Sequence, residues 1–203
     1  MKLYDTQVAP NPRRVRVFMA EKGIEIERVP VDLGKMEQKS AEFTALNPRQ
    51  RTPVLELDDG TRLCESVAIC RYLEAIHPEP NLFGRTPLEI GEIEMWNRRM
   101  ELDLLATIAG AFRHLHPAMA DMEVPQVKEW GERNKARIVG ELTFLDQHLK
   151  GRDFIAAGRF TNADITGMIG IDFLRPTRVA IPDELVDLRR WHAAVSSRPS
   201  AKA

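Results

Sequence analysis

Residues 51–73, RTPVLELDDGTRLCESVAICRYL, decide how this chain is organised. Thr52-Pro53-Val54-Leu55-Glu56-Leu57 reads as a strand beginning at a proline, which a strand tolerates at its first residue but not at its centre. Asp58-Asp59-Gly60 is a tight turn, because Asp and Gly supply the backbone conformations a short hairpin needs. Thr61-Arg62-Leu63 returns as a second short strand. Glu65-Ser66 then opens a run in which Val67, Ile69, Cys70 and Leu73 are apolar at helical spacing, so Ser66 stands at a helix start.

That arrangement offers chemistry at two points. A helix amino terminus leaves N–H groups unpaired, so a carboxylate can dock there, with the Ser66 hydroxyl as a further donor and Glu65 as an acceptor for an ammonium. The second point is Thr52-Pro53. A cis bond there would turn the backbone N–H and C=O of Thr52 sideways, where an extended peptide can pair with them as an added strand. Together the two points suit a small peptide carrying both an amine and a carboxylate. Read alone, Glu65-Ser66 is an ordinary helix cap, since Ser is among the preferred cap residues.

At 203 residues the chain is long enough for one large domain or two small ones. A hydrophobic content of 43% and a charged content of 29% are those of a globular protein with a proper core. The formal net charge of −1 argues against nucleic acid or an anionic membrane as the main partner. The opening MKLYDTQVAP is too short and polar for a signal peptide, and no apolar run approaches membrane-spanning length, so a cytoplasmic protein is expected. Cys64 and Cys70 lie well over one helical turn apart, and both read as reduced, buried thiols rather than a disulfide or a metal pair. Cys-x-x-Cys and His-x-x-x-His spacings are absent, so no metal site is expected.

Upstream, Lys2 to Thr6 reads as a first strand, Asn11 as the cap of a helix with Pro12 in its first turn, Gly23 as its end, and Ile26 to Val31 as a second strand. Strand, helix, strand at this length implies a parallel crossover. Leu33 to Leu46 holds a short helix that ends near Asn47-Pro48. His77-Pro78-Glu79-Pro80-Asn81 breaks the pattern as a linker, and from Pro87 the chain is helical. Met95, Met100, Leu104 and Ile108, and later Trp130, Ile138, Leu142 and Leu145, are spaced as buried stripes. Thr161 and Asp164 stand in capping-box spacing with Phe160 placed for a hydrophobic staple, a folding role. The expected partition is 1–77, a linker over 78–87, and an all-helical part over 88–203.

The pattern [RK]-x-P-V-L, L-x-E-S-x-A-I and Y-L in residues 51–73 resembles the glutathione-binding half of the glutathione S-transferase family. The resemblance implies an α/β thioredoxin-like amino-terminal domain followed by an all-α helical-bundle domain, with glutathione as co-substrate and a two-fold homodimer. It implies a cis Pro53, Glu65 and Ser66 on the γ-glutamyl end, the main chain of Thr52 on the cysteine, and Gln38, Lys39 and Arg51 near the glycine carboxylate. Lys39 and Arg51 also fit as solvated surface charges.

Such enzymes must ionise a thiol whose free pKa is near 8.5; lowering it by roughly two units takes about 2.7 kcal/mol of preferential thiolate stabilisation. Most members use a Tyr, Ser or Cys after the first strand, and here Ala9 occupies the serine slot, with Tyr4 too early and structural. YDT at the start, VLELDDGT, Ile93 to Leu102, Lys128 to Gly131, Ala163 to Thr166 and Arg198-Pro199-Ser200 resemble the atypical fungal and bacterial group that lacks those three residues. By that resemblance Asn11 and a water held by His114 are the candidate catalytic groups. As residues alone, Asn11 reads equally as a helix cap and His114 as a polar structural side chain. The function implied is transfer of glutathione to a small hydrophobic electrophile, or reduction of a disulfide or peroxide with it. A catalytically silent glutathione-binding or scaffold protein is the alternative; a glutathione-dependent isomerase, lyase or dehalogenase fits less well, because isomerases usually show Ser-Ser-Cys where this chain has Val8-Ala9-Pro10. Trp96, Met100 and Phe112 are candidates for contact with the electrophile, or simply core.

Overall fold

Four short strands, β1 (Lys2–Asp5), β2 (Glu27–Pro30), β3 (Val54–Glu56) and β4 (Arg62–Cys64), form one mixed sheet in the computed structural model, which describes residues 1–203. Their order is β2-β1-β3-β4. β1 runs parallel to β2 and antiparallel to β3, so Tyr4 lies between Val29 and Val54. β3 and β4 are the expected hairpin, with Val54 opposite Cys64 and Glu56 opposite Arg62. Its turn needs Gly60, whose φ of 83° lies where L side chains are strained.

The chain divides into two compact units, Met1–Asn81 with Pro199–Ala203, and Leu82–Arg198. In the first, α1 (Pro10–Lys22), α2 (Ala41–Leu46) and α3 (Ser66–Ile76) accompany the sheet. Leu3, Val15, Phe18, Leu55, Ile69, Cys70 and Leu73 are fully buried, and full burial of each large apolar side chain is worth about 1.5–3 kcal/mol. Gly23 ends α1 in the left-handed conformation, as its position predicts. Tyr4 packs edge-on to Phe43, the structural part expected of it. The tail folds onto α1: Arg13 Nη2 donates to the Ala201 carbonyl at 2.9 Å, and the Ser200 hydroxyl donates to Glu21.

The start of α1 differs from the sequence reading. Ala9 is the cap and makes no side-chain bond, Pro10 is the first helical residue, and Asn11 is the second. Pro10 takes the first position because its φ is already helical and its missing N–H is not needed there. That shift moves Asn11 out of the cap.

In the second unit α4 (Pro87–Arg98), a π-helical turn over Arg99–Leu105 and α5 (Ala106–Leu115) follow one another without a break. They pack with α6 (Lys128–Leu149), α7 (Asn162–Asp172) and α8 (Val186–Ser196). α7 is buried on all sides from Asn162 to Ile171, so its polar groups must find partners inside. The expected capping box is present: the Thr161 N–H donates to Asp164 Oδ2 at 2.9 Å. Phe160 and Ile165, the staple positions, are both buried. Gly167 is required by close approach, since a Cβ there would stand 2.8 Å from Ile155 and 3.0 Å from Trp191.

Two stripe residues are corrected. Met95 is 42% and Trp130 52% exposed. In α6 the buried stripe runs Gly131, Asn134, Ile138, Leu142, Leu145, Leu149, and one residue turns a helix by about 100°, which carries Trp130 off it. In α4, Ile93, Trp96 and Asn97 take the inner face and Met95 is turned away. No helix is long and apolar enough to cross a membrane.

Candidate active site

Strand direction gathers the singled-out segments of the first unit at one end of the sheet. Parallel β1 and β2 both leave there, antiparallel β3 enters there, and β4 leaves there. The segments at that end are therefore the turn into α1 with Asn11, the stretch after β2 with Gln38 and Lys39, Arg51-Thr52 before β3, and Glu65-Ser66 after β4. Continuing the β3–β4 register beyond Val54–Cys64 sets Pro53 opposite Glu65. The Thr52-Pro53 bond is cis. His114 belongs to α5 of the second unit.

At the amino end of α3, Glu65 is the cap residue, exposed, with φ 68° and ψ 115° and no side-chain cap bond. A non-glycine residue in that region costs about 1–3 kcal/mol. Ser66 is the first helical residue and only 5% exposed. Its oxygen accepts a 2.9 Å bond from Nη1 of Arg14, a fully buried side chain of α1. That bond occupies one of the two lone pairs of the hydroxyl and leaves its proton free to donate elsewhere. Arg14 was not singled out in the sequence, because its partner lies 52 residues away.

The amino end of α1 is sparsely furnished. Pro10 and Pro12 carry no N–H, so only the N–H groups of Ala9 and Asn11 point out of the first turn. No acidic residue lies in that turn, and the Asn11 side chain is exposed without a hydrogen bond inside the protein. The turn before it is held by Arg16 of α1, whose Nη1 donates to Asp5 Oδ1 at 2.6 Å and to the Thr6 carbonyl at 3.1 Å, and whose Nη2 donates to the Gln7 carbonyl at 3.4 Å.

Gln38 is buried, Lys39 and Arg51 are exposed, and Thr52 is half-buried. The loop that carries Arg51 is fixed by buried Asn47, which donates to the Arg51 carbonyl at 2.8 Å and accepts from the Arg49 N–H at 3.0 Å. His114 Nδ1 accepts from the Val127 N–H at 3.1 Å, just ahead of α6, so the ring proton resides on Nε2, which lies 4.0 Å from Glu123. Trp96 and Met100 are core residues; Phe112 packs edge-on to Phe173. Cys70 is buried as expected and burial pushes its thiol up to about 12, whereas Cys64 is only half-buried; burial and then the charge of Glu65 raise its thiol as well.

Residues 8–76 match the model of the glutathione S-transferase amino-terminal domain, and residues 110–199 that of the carboxy-terminal domain. Glutathione S-transferase 2 of Saccharomyces cerevisiae is 40% identical over 205 residues, covering 100% of this chain and 88% of its own length. The chain belongs to the glutathione S-transferase family. The crystal structure of Gtt2 from that yeast superposes with a TM-score of 0.94 at 40% identity, covering 100% of this chain and 99% of that one. A glutathione S-transferase domain-containing protein of Marinobacter aquaeolei VT8 gives 0.94 at 39% identity, with 98% and 99% covered. The fold of this transferase, a mixed four-stranded domain followed by helices, is that of its relatives, and the likeness to the atypical fungal group holds at full length.

Proposed function

We propose that this transferase binds glutathione at the gathered end of its sheet, ionises the thiol at the amino terminus of α1, and transfers it to a small electrophile. Glutathione is the co-substrate of the family to which the chain belongs. The observation that carries the reading is the convergence, at one sheet end, of two helix amino termini with no side-chain cap bond and no acid in their first turns. Each is a place for an anion.

Ser66, its oxygen held by Arg14 and its proton free, donates to the γ-glutamyl carboxylate, and Glu65 accepts from the ammonium. The strained backbone at Glu65 supports that role, since a glycine would sit there at lower cost and has no carboxylate. Thr52 pairs its main chain with the cysteine, and Gln38, Lys39 and Arg51 serve the glycine end, with Lys39 and Arg51 drawing the carboxylate by charge from exposed positions. Cys70 is fully buried, and burial raises both protein thiols, which disfavours either as the nucleophile. The reacting sulfur is glutathione's own.

At α1 the helix dipole supplies up to about 2 kcal/mol when partly buried, short of the roughly 2.7 kcal/mol required. The Asn11 amide supplies the remainder. His114, with Nδ1 already engaged, offers only Nε2–H to a water and contributes less. The working unit is a cytoplasmic two-fold homodimer, the commonest closed assembly of soluble proteins. A monomer in sedimentation at micromolar concentration would remove that part of the proposal.

Steady-state turnover with glutathione against aryl halides, epoxides, disulfides and peroxides tests the whole. Turnover on at least one class is expected. Tight glutathione binding with turnover on none would leave a silent binding protein, consistent with Ala9 in the serine slot.

A further inference from the structure

Arg16 is a buried cation spent on a loop. Its side chain is 3% exposed, that of its partner Asp5 is 5% exposed, and the pair stands at 2.6 Å. A second cation, Arg28, approaches Asp5 at 3.8 Å from a half-exposed position. A buried ion pair of this kind is weak evidence for stability, since well-packed apolar replacements are often neutral or stabilising. What distinguishes Arg16 is its remaining bonds, to the carbonyls of Thr6 and Gln7, the two residues between β1 and the exposed Val8.

The geometry points to Arg16, oriented by Asp5, as a positioning residue that fixes the turn from β1 into α1 and so sets where the N–H groups of Ala9 and Asn11 aim. This rests on the thiol site proposed above. A guanidinium spreads its donors over two nitrogens of a rigid plane, Nη1 serving Asp5 and Thr6 and Nη2 serving Gln7, whereas an ammonium gathers its three donors at one atom on a flexible stem. Because Pro10 and Pro12 donate nothing, the mouth of α1 has no spare N–H to compensate if the turn shifts. Arg16 makes no hydrogen bond or ion pair to Glu65, Ser66 or the loop over 47–51, so its replacement is expected to separate thiol activation from glutathione binding.

Arg16→Lys keeps the charge opposite Asp5 and loses the fork; Asp5→Asn keeps the fork and loosens its anchor. Bound glutathione is titrated in each through the ultraviolet absorbance of its thiolate, with the folded fraction checked by circular dichroism and the KM for glutathione measured alongside. In Arg16→Lys the bound thiol is expected to titrate about half a unit higher and turnover to fall about threefold, with KM within twofold, the loss of one hydrogen bond's worth of alignment. Asp5→Asn is expected to move in the same direction by less. A thiol midpoint unchanged in folded Arg16→Lys, beside a depressed wild-type midpoint, overturns the positioning role alone. A wild-type midpoint equal to that of free glutathione overturns the proposed thiol site and this inference with it.

Discussion

The helices α7 and α1 begin in opposite ways. At α7, Asp164 is fully buried and accepts four bonds: from the Thr161 N–H at 2.9 Å, the Thr161 hydroxyl at 3.1 Å, the Ile155 N–H at 2.9 Å and Trp191 Nε1 at 3.0 Å. The amino end of α1 has an alanine cap, two prolines, no acid and an exposed amide. A helix start closed by its own side chains has nothing left for a ligand, while one left open has unspent donors and a positive end. The first serves folding. The second is available for chemistry, which is why a helix start alone says little until its donors are accounted for.

Asp164→Asn should produce the largest effect. It sets an amide N–H₂ among donors and removes charge from four bonds, so a loss of about 3–5 kcal/mol in denaturant unfolding is expected, with glutathione affinity per folded molecule unchanged. Burial raises the Asp164 carboxyl to about 6 from its ordinary 3.8. A raised carboxyl binds its proton more tightly when folded, so its contribution to stability is fullest below about pH 4 and declines as pH rises through 6. The Asn variant should lose that slope. Retention of the slope would show that another group carries it.

Ser66→Ala tests the intermediate case, a helix start whose hydroxyl is held from behind by Arg14. Glutathione affinity should fall by about 1–2 kcal/mol in calorimetry, the worth of a hydrogen bond to a charged group. An unchanged affinity would assign Ser66 to the Arg14 bond alone.

The features legible in sequence are those decided within a few residues. The hairpin at Asp58-Asp59-Gly60, the Gly23 stop and the Thr161–Asp164 box are local arrangements, and each stands where the sequence puts it. Asn11 was misplaced by two positions because two good starting signals, Asn as cap and Pro as first residue, overlap at Pro10-Asn11-Pro12 and the proline prevailed. Periodicity gave Ile138, Leu142 and Leu145 but admitted Met95 and Trp130, since spacing of three to five does not fix the phase of a stripe. Arg14 on Ser66 and Arg16 on Asp5 each depend on where the fold brings a second segment, and an arginine in sequence carries no mark of its partner. The π-helical turn at Arg99–Leu105 left no proline or glycine to announce it.

Asn11→Ala is expected to act least on stability and most selectively on chemistry. The amide makes no bond inside the protein, so its removal costs the fold almost nothing, and the backbone N–H at the same position is retained. What changes is the one side-chain donor proposed to face the sulfur. If the amide supplies what the dipole does not, the bound thiol should titrate about half a unit to one unit higher, the equivalent of one hydrogen bond of roughly 1 kcal/mol. His114→Ala should move it less, because Nδ1 of that ring is committed to Val127, and its larger consequence should be a looser start to α6, seen as a drop in melting temperature. Thiolate absorbance titrated in both variants separates the contributions. A shift in neither would leave the dipole and the N–H groups of Ala9 and Asn11 to account for whatever depression the wild type shows, and the open end of α1 would then act through its backbone alone.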